Sequence, residues 1–334
     1  MRSLCNAATW LCVAACALCS AACGTLATDN GSAGGQSLSS GVGPFQRLSG
    51  DGERLLVDFA ADLDDPEVLA DANGGFTVYF TRRDGSGSTI RRARFASLGA
   101  DPSIDTVLAA DQPSEGGGIS QPAVLAPASP GERWLLCYAT DGGVIDCADS
   151  DDGSRFVNNG FELAVRPEPH RRFTSPALVR LDPRGFRELV RLFFVEDGAL
   201  FAADLARGRA GWQFIGLDGL SDDPLIHRIL AAGDAPWLSS IGRTTARTVI
   251  TPANRTRYDL FLSGRLPGAT GVRVVGLAAS WDGLAFSLAA APLLGTRPPD
   301  TWAPTAAVLD DGTNLLLFTE HAGGHTAIGA ATAP

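Results

Sequence analysis

A unit that recurs five times along the chain constrains its fold more than any other feature. Each copy holds a short segment after a proline or small residue, then an apolar strand, a glycine turn and a third strand. The first strands lie near Val68, Val124, Val179, Val249 and Val308, spaced 56, 55, 70 and 59 residues apart. Second strands follow at 76–81, 134–140, 189–196, 258–263 and 314–320. A period of that length, made of short strands without a helical run, predicts an all-β fold, a five-bladed β-propeller with four-stranded blades. A two-sheet sandwich would not demand five equivalent units. The fifth copy runs out of sequence before its fourth strand, whereas Arg54 to Phe59, just ahead of the first copy, has strand character. An N-terminal strand is therefore expected to complete the last blade and close the ring.

Two turns repeat almost letter for letter. Ser150-Asp151-Asp152-Gly153-Ser154-Arg155-Phe156 and Ser280-Trp281-Asp282-Gly283-Leu284-Ala285-Phe286 share Ser, Asp, Gly and Phe at identical offsets. The Asp-Gly step suits a turn needing positive φ, and the phenylalanine is expected to restart the next strand by packing on its blade. These residues read as structure, not catalysis. A third turn, Asp141-Gly142-Gly143, separates two strand-like runs carrying Cys137 and Cys147, each five residues from Gly142. In a symmetric hairpin the two cysteines face each other, and an oxidising compartment would join them.

The first residues point to such a compartment. Arg2, an apolar run from Ala7 to Leu18, and Ser20-Ala21-Ala22 before Cys23 follow the three-part layout of a secretory signal. The run is too short for a membrane span. Small residues directly before a cysteine resemble a bacterial lipobox, which implies that Cys23 is lipidated and becomes the new N-terminus. Val13-Ala14-Ala15-Cys16 fits the same letters, but cleavage there would leave a very short hydrophobic region. Gly24 to Gly43 is rich in Gly, Ser, Ala and Thr and reads as a flexible tether. The expected organisation is a signal over 1–22, a tether over 23–50 and the propeller over 51–334. Gly24 after the cysteine, in place of the inner-membrane aspartate of such lipoproteins, implies an outer-membrane address.

Charge narrows the partners. All 27 basic residues are arginine and the net charge is -10, so no basic footprint for nucleic acid or anionic lipid is present. The membrane is expected to be met only through the lipid anchor, and a monomer is expected.

With its blade pattern, its Ser-x-Asp-Gly-x-x-Phe turns and Asp65-Pro66-Glu67-Val68 at the head of the first unit, the chain resembles the five-bladed glycoside hydrolase superfamily of arabinanases, β-xylosidases and invertases. The resemblance implies carboxylates at the heads of the first three innermost strands, because cleavage needs one carboxyl to protonate the leaving oxygen and another to activate water or attack. Asp65 matches the first position. The second is Gln121 before Pro122, and the third falls in Thr174-Ser175-Pro176. Neither Gln121 nor Ser175 can exchange a proton at the required strength near neutral pH.

Other candidates are weaker. Glu196 beside Asp197-Gly198 reads as a solvated turn residue at the outer part of a blade, and Asp222-Asp223-Pro224 as a linker turn. Trp237 and Trp302 are candidates for stacking on a sugar ring, Trp302 more so because it adjoins an inner strand. His170, His227, His321 and His325 lack metal-binding spacing, and no phosphate loop or nucleophile elbow occurs, so neither metal nor cofactor is expected. The sequence therefore favours a tethered propeller that binds a glycan or a protein partner without cleaving it. Asp65, Gln121, Ser175 and Trp302 are the expected contacts. The alternative is a glycoside hydrolase with a rearranged site using Asp65.

Overall fold

The computed structural model describes residues 45–48, 54–111, 115–163, 172–181, 188–208, 211–215, 226–268, 272–294, 301–322 and 324–334. The expected signal, Cys23, most of the tether, His170 and Asp222-Asp223-Pro224 lie outside them.

Alternating and apolar runs separated by glycine turns give 22 strands among the described residues and no α-helix. After β1 (Gln46–Arg47) and β2 (Arg54–Leu56) come four sheets of successive strands. Blade 1 is β3 (Asp62–Ala70), β4 (Phe76–Asp84), β5 (Gly87–Phe95) and β6 (Ser103–Ala109). Blade 2 is β7 (Ile119–Leu125), β8 (Trp134–Thr140), β9 (Ile145–Ser150) and β10 (Val157–Leu163). Blade 3 is β11 (Thr174–Arg180), β12 (Leu189–Glu196) and β13 (Ala199–Gly208), whose outer edge is shared by β14 (Gly211–Ile215) and β15 (His227–Leu230). Blade 4 is β16 (Ile241–Ile250), β17 (Thr256–Arg265), β18 (Arg273–Ser280) and β19 (Ser287–Leu288). Blade 5 is β20 (Thr301–Val308), β21 (Asn314–Ala322) and β22 (His325–Ala333), completed on its outer edge by β1 and β2. Every pairing is antiparallel, and the innermost strands β3, β7, β11, β16 and β20 touch one another in a ring.

Closure matches the expectation with two adjustments. The pairing strand is Arg54–Leu56, not Arg54 to Phe59, since Phe59 is 82% exposed. In addition Gln46 and Arg47, inside the span read as tether, pair with Thr332 and Ala331. Apolar packing explains why the chain returns. Among the described residues the core is divided into five clusters, one in each gap between neighbouring blades. Phe45 enters the cluster between blades 4 and 5, and Leu56 the one between blades 5 and 1.

The repeated turns fasten blades in pairs. In each, the serine hydroxyl accepts the glycine N–H, Gly153 to Ser150 at 3.0 Å and Gly283 to Ser280 at 2.9 Å. Phe156 meets Tyr79 of blade 1 edge-on, and Phe286 meets Phe193 of blade 3 likewise. The phenylalanine therefore reaches the preceding blade, a correction to its expected packing on its own. Gly153 has φ +70, and a Cβ there would lie 2.9 Å from both Trp134 and the Tyr79 hydroxyl. Cys137 and Cys147 stand directly opposite on β8 and β9, Cα atoms 4.1 Å apart, and are joined as a disulfide.

Deleting residues through Ala60 should lower the unfolding free energy by about 3–6 kcal/mol, the value of two large apolar side chains and the surface they cover. Denaturant titration of the truncated chain measures it, and an unchanged midpoint would show that the ring closes without this strand.

Candidate functional site

The site grows from a defect shared by all five inner strands. Their ladders shift register between Asp64/Glu67, Ser120/Ala123, Thr174/Ala177, Ile241/Thr244 and Trp302/Thr305. Each shift is a β-bulge at the head of the strand, a device that re-aims side chains and leaves a backbone N–H without its ladder partner. The residues within are Asp65-Pro66, Gln121-Pro122, Ser175-Pro176, Gly242-Arg243 and Ala303-Pro304. Four of them sit at positive φ, Asp65 at 54°, Gln121 and Ser175 at 57° and Ala303 at 50°, each directly before a proline. That conformation is costly for a residue with a Cβ, so it persists only where surrounding contacts hold it.

Those contacts come from the preceding blade around the ring. Asp65 N–H donates to Thr319 Oγ1 at 3.1 Å, and Gln121 N–H to Thr81 Oγ1 at 3.0 Å. Ser175 N–H donates to Gln121 Oε1 at 2.6 Å, and Thr244 N–H to Ser175 Oγ at 2.5 Å. Thr245 Oγ1 closes the circuit by donating to Pro304 O at 2.7 Å. Gln121 and Ser175 thus spend their side-chain acceptors tying blade 2 to 3 and blade 3 to 4.

Above this ring opens a cavity of about 490 Å³, with lining residues from all five blades. Asp64, Asp65, Arg83, Gln121, Arg243 and Trp302 contribute polar or aromatic groups to it. Of the four expected contacts Asp65, Gln121 and Trp302 meet there, whereas Ser175 is buried behind them. Trp302 is partly enclosed, with the Arg273 guanidinium 4.3 Å over its ring and His321 tilted against it at 5.0 Å. Trp237 is a core residue, buried at 6% exposure with its indole N–H donating to Ala289 O. It packs so tightly over Gly276 that a Cβ there would fall 2.0 Å from the indole. Glu196 is also buried, at the end of β12 near the inner strand, and not a solvated turn residue as its Asp-Gly neighbours suggested.

Two groups at the centre escaped the sequence reading. Arg243, with its side chain 2% exposed, donates to Pro176 O at 2.6 Å and to Thr244 O and Pro122 O, and lies 3.9 Å from Glu67 Oε2. Glu67 lines a second cavity of about 240 Å³, mostly apolar, together with Val68, Val124, Leu178, Arg247 and Thr305. Aligning the five strand heads puts Gly242 at the position of Asp65 and Arg243 at that of Pro66. The fourth copy carries no proline at that point, and was anchored instead on Val249, farther along the strand.

Burial decides the charge states. Desolvation pushes Glu67 from an ordinary 4.5 up to about 8, outweighing the attraction of Arg243. Asp64 rises to about 7, chiefly through burial and then through repulsion from Asp65. Asp65 is raised by burial too, against the pull of Arg243 and Arg83 and a 3.4 Å bond from Thr81 Oγ1. At neutral pH Glu67 keeps a proton that an exposed carboxyl would shed, and Asp64 is partly protonated.

Among solved structures, the chain is similar to a glycosyl hydrolase from Bacteroides ovatus, with TM-score 0.60 and 13% identity, covering 86% of this chain and 92% of that one. It is similar as well to an endo-arabinase from Bacteroides thetaiotaomicron, with TM-score 0.56 and 16% identity over 82% and 94% of the two chains. A GH62 hydrolase in complex with xylotriose gives TM-score 0.57 and 15% identity over 82% and 92%. No family model and no curated protein sequence matches. The chain therefore has the five-bladed propeller fold seen in glycoside hydrolases. At these identities the likeness establishes that fold alone.

Two outcomes follow. Thr81→Val removes the acceptor of the Gln121 N–H, and a buried donor left without a partner costs about 1–3 kcal/mol; unfolding in urea measures the loss, and no loss would mean the ring contact is idle. The second concerns pH. Because Glu67 and Asp64 keep their protons to higher pH when folded than when unfolded, their stabilisation is complete below about pH 4 and is lost as pH rises through about 7 to 8. The melting temperature should fall across that window, and less steeply in Glu67→Gln. A melting temperature that rises there, or an identical slope in the variant, contradicts the assignment.

Proposed function

We propose that this chain is an exported, envelope-tethered propeller that binds a saccharide in its funnel without hydrolysing it. One observation carries the reading. The carboxyls lining the funnel among the described residues, Asp64 and Asp65, are sequence neighbours on a single strand. Glycoside cleavage needs two carboxyl groups flanking the bond, about 5–5.5 Å apart for retention and about 6.5–9.5 Å for inversion with its water. In the superfamily that the sequence resembles, the facing carboxylates come from the second and third blades. Here those positions are Gln121 and Ser175, whose acceptors are engaged by N–H groups of the neighbouring blade. Glu67 does not replace them, since it lines the second cavity, with Arg243 reaching it from the first.

What remains suits recognition. Asp65 offers a fixed acceptor for a sugar hydroxyl, Gln121 an amide, and Trp302 an aromatic edge, all on one rigid ring. The lipobox-like cysteine and the tether-like segment support placement at the envelope. The similar solved structures support a carbohydrate as ligand, because their described activities concern glycosidic bonds. The runner-up, hydrolysis by a rearranged site, has one point in its favour: Asp64, pushed to about 7, has the acidity of a general acid.

Incubation with arabinan, xylan, fructan and aryl glycosides should release no sugar, since loss of an acid or base typically forfeits a factor of about 100 to 10,000 each. Binding on a glycan array should weaken about tenfold or more in Asp65→Ala, the worth of roughly one charged hydrogen bond. Sugar released by the parent and not by Asp65→Ala would establish the hydrolase.

A further inference from the structure

We propose that the second cavity, at the end of the ring opposite the funnel, is a binding site for a small carboxylate with a compact apolar body, held between Glu67 and Arg247.

The ring itself builds this cavity. All five inner strands enter it beyond their bulges, at 67–69 of β3, 124–125 of β7, 178–180 of β11, 246–248 of β16 and 305–306 of β20. Val68, Val124, Leu178, Val179 and Ala306 give it buried apolar walls. An apolar cavity of about 150 Å³ accepts a benzene ring, so about 240 Å³ has room for one ring and a polar substituent.

Two buried polar atoms of the lining residues make no hydrogen bond among the described residues, Glu67 Oε2 and Arg247 Nη1. Burying such atoms is costly, and folded proteins leave few of them without a use. Both side chains are otherwise held in place. That of Glu67 is 7% exposed, is bonded by the Thr305 hydroxyl and has Arg243 Nη2 at 3.9 Å from Oε2. The Arg247 guanidinium lies 5.0 Å over the Phe261 ring and shares Asp259 with Arg257. Arg257 has the shorter contact, 2.7 Å against 3.3 Å, so one carboxylate serves two guanidiniums and the cluster keeps a positive charge.

Charge selects the ligand. Glu67, raised to about 8 by burial, is a proton donor at neutral pH, and Arg247 Nη1 adds a cationic donor. A carboxylate meets both, because each of its two oxygens can accept a charge-assisted bond. A cationic ligand would meet the guanidiniums of Arg180, Arg243 and Arg247 around a carboxyl that holds its proton. A neutral ligand would leave the positive charge of the arginine cluster uncompensated.

The test is calorimetric titration of the purified chain with benzoate, hexanoate, benzamide and benzylamine at about pH 6.5, where Glu67 keeps its proton. The two carboxylates should bind about tenfold more tightly than benzamide or better, the worth of roughly one charge-assisted hydrogen bond, and benzylamine should not bind. Thr248→Phe, at a partly exposed position of the cavity lining, should block benzoate while the chain melts as the parent does. Trp302→Ala, in the funnel, should leave benzoate binding as it is. Arg247→Gln should weaken benzoate about tenfold or more, provided that circular dichroism shows it folded; if it is not, Thr248→Phe decides. The groups that share the cavity with Glu67 or lie against it are Arg180 of β11, Arg243 and Arg247 of β16 and the Thr305 hydroxyl of β20, and none of them gains negative charge as pH rises. Benzoate affinity should therefore fall about tenfold toward about pH 9 as Glu67 ionises and repels the ligand, and stay level in Glu67→Gln, whose amide remains a donor. Equal affinity for benzoate and benzamide, a preference for benzylamine, an affinity indifferent to pH, or no binding by any probe overturns the proposal. So does benzoate binding that survives Thr248→Phe and is lost in Trp302→Ala, which would place the ligand in the funnel.

Discussion

The molecule depends on what happens to the backbone N–H that each inner-strand bulge expels from its ladder. A buried N–H without an acceptor is expensive. The neighbouring blade answers the need, through Thr319 and Thr81 on second strands and through Gln121 and Ser175 on inner strands. Local strain and global closure are thereby one problem with one solution. The positive φ of Asp65, Gln121 and Ser175 is tolerable because each is held from the side, and the blades stay in register because those bonds have fixed length. Apolar packing in the gaps supplies cohesion without direction.

That economy bears on chemistry. Positions that resemble a glycosidase's second and third carboxylates are the positions from which a side chain reaches the next blade. A carboxylate there can also accept an N–H, but it would bring a charge into a ring already crowded with Asp64, Asp65 and Glu67. Gln121 and Ser175 accept the same bonds without charge. Arg243, inserted among the inner strands, offsets the acidic groups that remain and satisfies carbonyls that the bulges expose. One internal cation, Arg243, thus sits against the acidic groups of the ring.

The sequence disclosed whatever repeats or stays local. Five units, their spacing, the Ser-x-Asp-Gly-x-x-Phe turns and the hairpin that opposes Cys137 to Cys147 all lie within a few dozen residues of themselves. Asp65, Gln121 and Ser175 were legible because a proline follows each of them. Arg243 was not, because it stands where the other heads carry that proline, after Gly242, and the fourth copy is spaced differently from the rest. Glu67 read as strand beside Asp65, and only the packed ring shows that its carboxyl turns to the opposite cavity. The roles of Gln121 and Ser175 as inter-blade acceptors join residues more than fifty positions apart, for which no local pattern exists. The phenylalanines crossing to the preceding blade, and Gln46–Arg47 joining the final ladder, were hidden for the same reason.

The closing strand also sets an order of events in time. Synthesis delivers Gln46 and Arg47 early, yet their partners Thr332 and Ala331 come at the other end of the described chain. Four blades can assemble from consecutive hairpins as they appear, while the fifth must wait for both ends. Until then Phe45 and Leu56 have no gap to fill, and the edge of β22 stays unpaired. Loop closure of such span adds little equilibrium cost, because each doubling of length adds only about 0.6 kcal/mol, but distant pairings of this kind form slowly. The seam of the ring is therefore its kinetic bottleneck, and the nascent chain is most open to sticking to its neighbours just before the last strand takes its place.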